Sequence, residues 1–328
     1  MTYILLTGAG FSRNWGGWLA SEAFEYLIGC TELAGDLRTL LWDSKAKGGG
    51  FEDALADLQN EYARTADART KTRIDLLQSA LAGMFNQMDN AFATTTFEPT
   101  NYLQFAIKTF LVRFDAIFTL NQDLLLERHY LDDNVALSSA RRWSGWQMPG
   151  LKPLHPNPPY FDPNLAKVAI RTPDPSAFQE QGGFQPYYKL HGSSNWHSDA
   201  GERMLIMGGN KAVNINQYPL LRWYSQKFVE YLGRPQARLM VIGYSFSDAH
   251  INKTITDAAD EGTLELFIVD PQGVDVLDKQ LPPPRMRVAG PLMTSLNPHI
   301  IGASRRSLNS IFGNDRVEFS KLMRFFER

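Results

Sequence analysis

"RLMVIGYSFSDAHINKTITDAADEGTLELFIVD", residues 238–270, decides the fold. It opens with an apolar run, 238–245, and closes with another, 264–270. Between them lies a segment, 247–260, whose spacing predicts a helix with Ser247 as its N-cap. Strand, helix and strand at these lengths predict a βαβ unit, and hence a parallel sheet. Gly243 leaves the first strand, and Asp270 stands at the end of the second.

The same pattern extends in both directions. "YILLT", 3–7, is a continuous apolar run, as expected of a strand buried on both faces, and Gly8-Ala9-Gly10 closes it. "WLASEAFEYLIG", 18–29, places Leu19, Ala23, Tyr26 and Leu27 on one helical face, with Gly29 as a stop. Residues 31–113 carry almost no strand signal. Their apolar positions recur at three and four spacing through "AGDLRTLLW", "FEDALADLQNEYARTA", "TRIDLLQSALAGMFNQM" and a further helix at 101–113. "AIFTL", 116–120, restores the strand pattern. Residues 140–186, rich in Pro, Gly and Trp, read as a long irregular loop, of the kind that serves as a lid or an assembly contact. Beyond it, "YYKLH" (187–191) and "RMLIM" (203–207) read as strands, "QYPLLRWYSQKFVEYL" (217–232) as a helix, and "VEFSKLMRFFER" as an amphipathic end. The expectation is an α/β fold. A Rossmann-like parallel sheet is formed by 1–30 and 114–328, with an all-helical insertion at 31–113.

With 328 residues and 44% apolar content, the chain can bury a large core. Its 33 basic and 35 acidic residues nearly cancel, so charge supplies no reason for indiscriminate binding to DNA or anionic membrane. Arg141-Arg142 and Arg305-Arg306 are the local basic candidates. They read as solvated surface, and direct nucleic-acid contact stays open. The single cysteine, Cys30, excludes an internal disulfide and any zinc site built on several thiolates, and is expected to be a buried small residue. No apolar run reaches the length of a membrane helix, and the N-terminal run lacks a signal peptide's basic flank, so the expected location is cytoplasmic. Asp53, Asp57 and Glu61 share a helical face that reads as solvated.

Four stretches can carry chemistry. "LLTGAGFS", 5–12, puts Gly8, Ala9, Gly10 and Ser12 after a strand, where backbone amides can cradle a phosphate. Arg13 stands where a dinucleotide fingerprint would have its third glycine, and is suited to pair with phosphate. "TLNQD", 119–123, offers Asn121 and Asp123 at a strand's C-terminal end, the edge where ligands lie in open α/β sheets. "GYSFSDAH" and "IVDP" supply Gly243, Ser245 and Asp270, the last placed like a ribose-binding acid. "YYKLHGSSNWH", 187–197, sets His191 at a strand end, with Gly192 giving the backbone room to turn. His197 lies past the turn and reads as loop or surface, and His250 as a helix-surface or core residue.

Strand ends reading GAGxS, TxNxD, LHG and GxS, in that order, resemble the sirtuin fold family. They are Gly8 to Ser12, Thr119 to Asp123, Leu190-His191-Gly192 and Gly243-Tyr244-Ser245. One cysteine rules out the four-cysteine zinc module of deacylating sirtuins, and "RNWGGWLA" replaces their Pro-Asp-Phe-Arg segment. The chain therefore looks most like the sirtuin-like NADases of bacterial anti-phage defence, in the form that partners HerA-type ATPases. That resemblance implies NAD as substrate, no zinc, hydrolysis of the nicotinamide–ribose bond and a homo-oligomer. It assigns Asn121 to the nicotinamide ribose and the attacking water. Asp123 falls on the carboxamide, and His191 becomes general base, with an ordinary pKa near 6.5. Gly8, Ala9, Gly10, Ser12, Arg13, Gly243, Ser245 and Asp270 complete the binding set, and Gly192 lets the cofactor approach. A nucleotide-binding scaffold or sensor acting with a partner ATPase stays open, as does a nuclease; deacylation is more remote.

Overall fold

The computed structural model describes residues 1–33, 35–102, 104, 106–131, 143–154, 168–209, 211–278 and 290–327. β1 (Thr2–Thr7) leads into α1 (Ala9–Arg13), α2 (Ala20–Gly29), α3 (Asp36–Ala46), α4 (Phe51–Thr65), α5 (Ala68–Phe92) and α6 (Ile107–Leu111). After β2 (Ala116–Thr119) come α7 (Leu125–His129), β3 (Gly145–Gln147), β4 (Leu151–Pro153), β5 (Arg171–Pro173), β6 (Phe184–Lys189), β7 (Gly192–His197) and β8 (Arg203–Leu205). The remainder is α8 (Lys211–Gln217), α9 (Pro219–Leu232), β9 (Ala237–Ile242), α10 (Ala249–Glu261), β10 (Glu265–Val269), α11 (Pro291–Leu296), β11 (Ile300–Ser304), α12 (Leu308–Gly313) and α13 (Arg316–Met323).

Seven strands form one sheet in the order β11-β10-β9-β1-β2-β6-β3, and every described pairing in it is parallel. Because both faces are covered, Ile4, Leu5 and Leu6 are inaccessible to solvent, as are Ala116 to Phe118. The βαβ unit at 238–270 is observed as β9-α10-β10. α10 turns Ile251, Ile255 and Ala259 to the core, the i, i+4, i+8 stripe of an amphipathic helix. Each buried isoleucine contributes about 1.5–3 kcal/mol. The chain leaves β1 toward β2 on one side and later returns to β9 on the other, so the sheet changes winding direction at β1. In open α/β sheets the crevice at such a point is where ligands bind.

Three of the helices between β1 and β2 begin on local hydrogen bonds. Asp53 accepts from the Gly50 amide at the start of α4 (2.8 Å), and Asp67 caps α5 through the Thr70 amide (2.8 Å). Of the helix expected over 101–113, the described residues form Ile107–Leu111. It begins where the Glu98 carboxylate accepts from the Ile107 and Lys108 amides, at 2.6 and 3.0 Å. Among the described residues no helix is long and apolar enough to cross a membrane.

Several local expectations are corrected. The stretch 140–186 contains β3, β4 and β5, three-residue strands that join existing edges and carry no periodicity of their own. The small residues after His191 form β7 rather than a loop, and His197 ends that strand, half-buried. β7 joins β4, β5 and β8 in a second, four-stranded sheet. The N-cap of α10 is Asp248, not Ser247. Cys30 is buried, as expected. Arg305 and Arg306 are exposed and paired with Asp275 and Asp315, whereas Arg141-Arg142 lie outside the described residues.

Candidate active site

Register brings the motifs to one edge. Thr7 aligns with Thr119 and Ile242, Thr119 with Lys189, and Ile242 with Val269. The residues just beyond each strand are therefore neighbours: Gly8 to Ser12, Leu120 to Asp123, Leu190-His191, Gly243 to Ser245, and Asp270. The Thr7 hydroxyl donates to that of Thr119 (2.7 Å), tying β1 to β2 directly below.

Ser12, Asn121 and Asp123 lie together. Asn121 Nδ2 donates to the Ser12 hydroxyl (2.9 Å), and the Asp123 carboxyl accepts from the Leu125 amide (3.1 Å). Asp123 is buried, and desolvation pushes its carboxyl above the ordinary value, against the opposing charge of Lys189, the Leu125 amide and the nearby Ser12 hydroxyl. Lys189 is fully buried. It donates to the Asp123 carbonyl (2.5 Å) and to Glu127 (2.7 Å), an ion pair with neither partner exposed to water.

His191 occupies the turn between β6 and β7, 3% exposed. Its carbonyl accepts from the Ile206 amide (3.0 Å) and from Gln122 Nε2 (3.3 Å), which also donates to the Ile206 carbonyl (2.5 Å). Gln122 thus holds the turn, a role its place inside "TLNQD" did not reveal. Gly192 is required by the fold itself: it has φ +73°, and a Cβ there would lie 1.9 Å from the Met204 carbonyl oxygen. The close approach of β8 by itself requires glycine here.

The neighbour of His191 is His250, Nε2 to Nε2 at 3.1 Å. Asp248 completes the group, its ligand oxygen and the two ring nitrogens lying within 4.8 Å of one another. His250, read from sequence as a helix-surface or core residue, thus faces His191. Asp248 and His250 both stood in "GYSFSDAH", but nothing in that stretch said what they would face. Lys211 donates to Asp248 (2.8 Å) and also pairs with Glu52 on α4 (2.7 Å), linking the helical segment to the site. Burial holds the His191 imidazole down to about 3; Asp248 opposes this, while Lys211 and His250 add to it. The ordinary value expected of His191 is thereby corrected: removed from water, it is neutral at physiological pH. Burial lowers His250 as well. Burial alone would raise Asp248, but the neighbouring His191, Lys211 and His250 outweigh it and hold its carboxyl below the ordinary value. At neutral pH the charge that remains beside it is the Lys211 ammonium, at 2.8 Å.

The glycine loop is packed against its own protein. The Gly8, Gly10 and Phe11 amides donate to the carbonyls of Ile242, Gly243 and Gly8, at 3.0, 2.9 and 2.8 Å. A Cβ on Gly10 would lie 2.7 Å from Gly243 Cα, so the glycines let two loops meet at backbone distance. Ala9 is exposed, and Arg13 is paired with Glu22 (2.6 Å). Ser245 is exposed and shares a hydrogen bond with Ser247 (2.8 Å). Asp270 is half-buried and accepts from the Gln272 amide (2.8 Å) in an Asp-Pro turn; burial raises its carboxyl, with Arg305 opposing. Asp53, Asp57 and Glu61 lie on α4, where Asp53 caps the helix and Glu61 accepts from Thr70 (3.1 Å).

Residues 115–283, more than half the chain and all of β2 through β10, match the SIR2-like domain. The chain belongs to the SIR2-like family. Domains of this family use NAD and are commonly NAD-dependent enzymes. The match begins after β1, so the Gly8–Ser12 loop lies outside it. No curated protein matches the chain.

Proposed function

We propose that this SIR2-like protein is an NAD glycohydrolase, releasing nicotinamide and ADP-ribose. The observation that carries the reading is a buried His191 at the sheet's C-terminal edge, where Asn121 donates to Ser12 nearby and His250 and Asp248 lie behind it; burial holds its ring neutral. As the C1′–N bond breaks, its electron pair goes to the nicotinamide nitrogen and the ribose becomes an oxocarbenium ion. An imidazolium at this place would repel that cation; a neutral ring does not. Water held by Asn121 attacks C1′, and the protonated adduct gives its proton to His191. That adduct is strongly acidic, so a base weakened by burial is sufficient. Nε2 of His191 meets His250, which leaves Nδ1 to accept the proton and His250, beside Asp248, to carry it onward. Asp123 receives the carboxamide, Asp270 the adenosine ribose, and the Gly8–Arg13 loop with Gly243 and Ser245 the phosphates. In the cell the activity serves anti-phage defence by NAD depletion, in a homo-oligomer acting with a HerA-type ATPase.

The test is NAD consumption by purified protein and His191→Ala, with and without such an ATPase, following nicotinamide and ADP-ribose together. Loss of one acid–base group lowers the rate by about 10²–10⁴. NAD that binds but survives every condition overturns the mechanism, and the scaffold or sensor reading replaces it.

A further inference from the structure

We propose that His191, His250 and Asp248 form a binding site for a late first-row divalent cation, with Zn²⁺ as its simplest occupant. Two imidazole nitrogens and a carboxylate suit zinc, nickel or cobalt, whereas magnesium and calcium prefer all-oxygen sets. The two Nε2 atoms are 3.1 Å apart. With Zn–N bonds of about 2.0–2.1 Å, that separation corresponds to an N–metal–N angle of roughly 95–100°, inside the range of real sites. Asp248 closes the set from within 4.8 Å by turning its carboxylate from Lys211 toward the cation; Lys211 keeps Glu52 as partner. Three protein ligands leave a position open, so the cation would exchange rather than serve as a closed structural centre.

The backbone that presents the ligands is held by hydrogen bonds. Gln122 and the Ile206 amide fix the His191 carbonyl. The Tyr244 hydroxyl accepts from the Asp248 amide (3.0 Å) and donates to Asn252 (2.9 Å), anchoring the first turn of α10 that presents Asp248 and His250. In the metal-free protein the two Nε2 atoms face each other at hydrogen-bond distance, 3.1 Å, and a cation bound to both takes the place of the proton between them. A cation on Nε2 also breaks the path from His191 to His250. On the glycohydrolase reading above, on which this consequence alone rests, loading inhibits NAD cleavage reversibly.

Binding is measured first, independently of activity. Chelator-treated protein is titrated calorimetrically with ZnCl₂ and separately with MgCl₂, as wild type, His250→Gln, Asp248→Asn and, as a control elsewhere, His299→Gln. One Zn²⁺ per chain is expected, at least tenfold weaker in His250→Gln and Asp248→Asn and unchanged in His299→Gln, with no Mg²⁺ binding. Thermal melts confirm that each variant is folded. If His250→Gln does not fold, Asp248→Asn and the ligand-field spectrum of Co²⁺-loaded wild type decide. Failure of the wild type to bind Zn²⁺, or equal binding by folded ligand variants, overturns the site. If NAD is cleaved, Zn²⁺ should suppress cleavage and a chelator restore it; full activity with metal bound overturns the inhibition. If NAD is never cleaved, the titration still stands, so the two readings fail separately.

Discussion

Replacing Lys189 with methionine tests how the edge beneath His191 is held. Lys189 is completely buried, with Glu127 at 2.7 Å and the Asp123 carbonyl at 2.5 Å. Without the ammonium, Glu127 would be a carboxylate 1% exposed with no ion-pair partner and a long bond from the Tyr187 hydroxyl (3.4 Å), already pushed upward by burial and held back by Lys189. It escapes by taking a proton. Against an unfolded glutamate with a pKa of about 4.3, that costs about 3–4 kcal/mol at pH 7. The lost hydrogen bond to Asp123 adds about 1 kcal/mol. The sum, about 4–5 kcal/mol, lies in the range for breaking a buried pair. The sign with pH follows from the proton count. The folded variant keeps a proton that the unfolded chain releases above pH 4.3, so the variant loses stability as pH rises, by about 1.4 kcal/mol per unit. The deficit should shrink to about 2 kcal/mol at pH 5. Urea denaturation of wild type and Lys189→Met at pH 7, 6 and 5 measures this. Lys189→Met combined with Glu127→Leu removes both charges and should recover most of the loss. A deficit that is the same at pH 7 and pH 5, or a double variant as unstable as the single, would refute the reasoning.

Gly192→Ala places a methyl 1.9 Å from the Met204 carbonyl at φ +73°. The left-handed backbone alone costs about 1–2 kcal/mol, so the urea midpoint should fall clearly; a midpoint equal to wild type would mean that β8 yields freely. Arg13→Ala removes an ion pair whose arginine is half exposed, so its effect on stability should stay below about 1 kcal/mol in thermal melts. If Arg13 leaves Glu22 for a phosphate, KM for NAD rises while stability is unchanged; an unchanged KM assigns it to the ion pair alone. Asp270→Asn should raise KM for NAD more than it lowers kcat, and unaltered kinetics would remove Asp270 from the ribose.

The parallel sheet was legible because its central strands are buried on both faces. Burial on two faces demands unbroken apolar runs, and "YILLT", "AIFTL" and "LELFIVD" are such runs. β3, β4 and β5 were not legible. A three-residue strand in a segment rich in Pro and Trp has no period to read, and forms because a partner edge is already there. β7 was hidden for a related reason: small residues at 192–194 look like a turn until β8 pairs with them.

The site divides the same way. Its strand-end residues were open to sequence reading, because parallel register carries every strand's C-terminal residue to one edge; Asn121, Asp123 and His191 follow from that rule. What faces each of them did not follow. His250 is 59 positions from His191, and Lys211 lies on a helix between them in sequence. Only the packing of α10 and α8 over the sheet edge brings their side chains together. The sequence alone therefore determined the parallel sheet and the edge where the candidate residues gather, through local hydrophobic pattern. The neutral state of His191, its partner ring and its tie through Lys211 to the helical segment were decided by tertiary structure. They depend on burial and on contacts between distant segments, which no local pattern records.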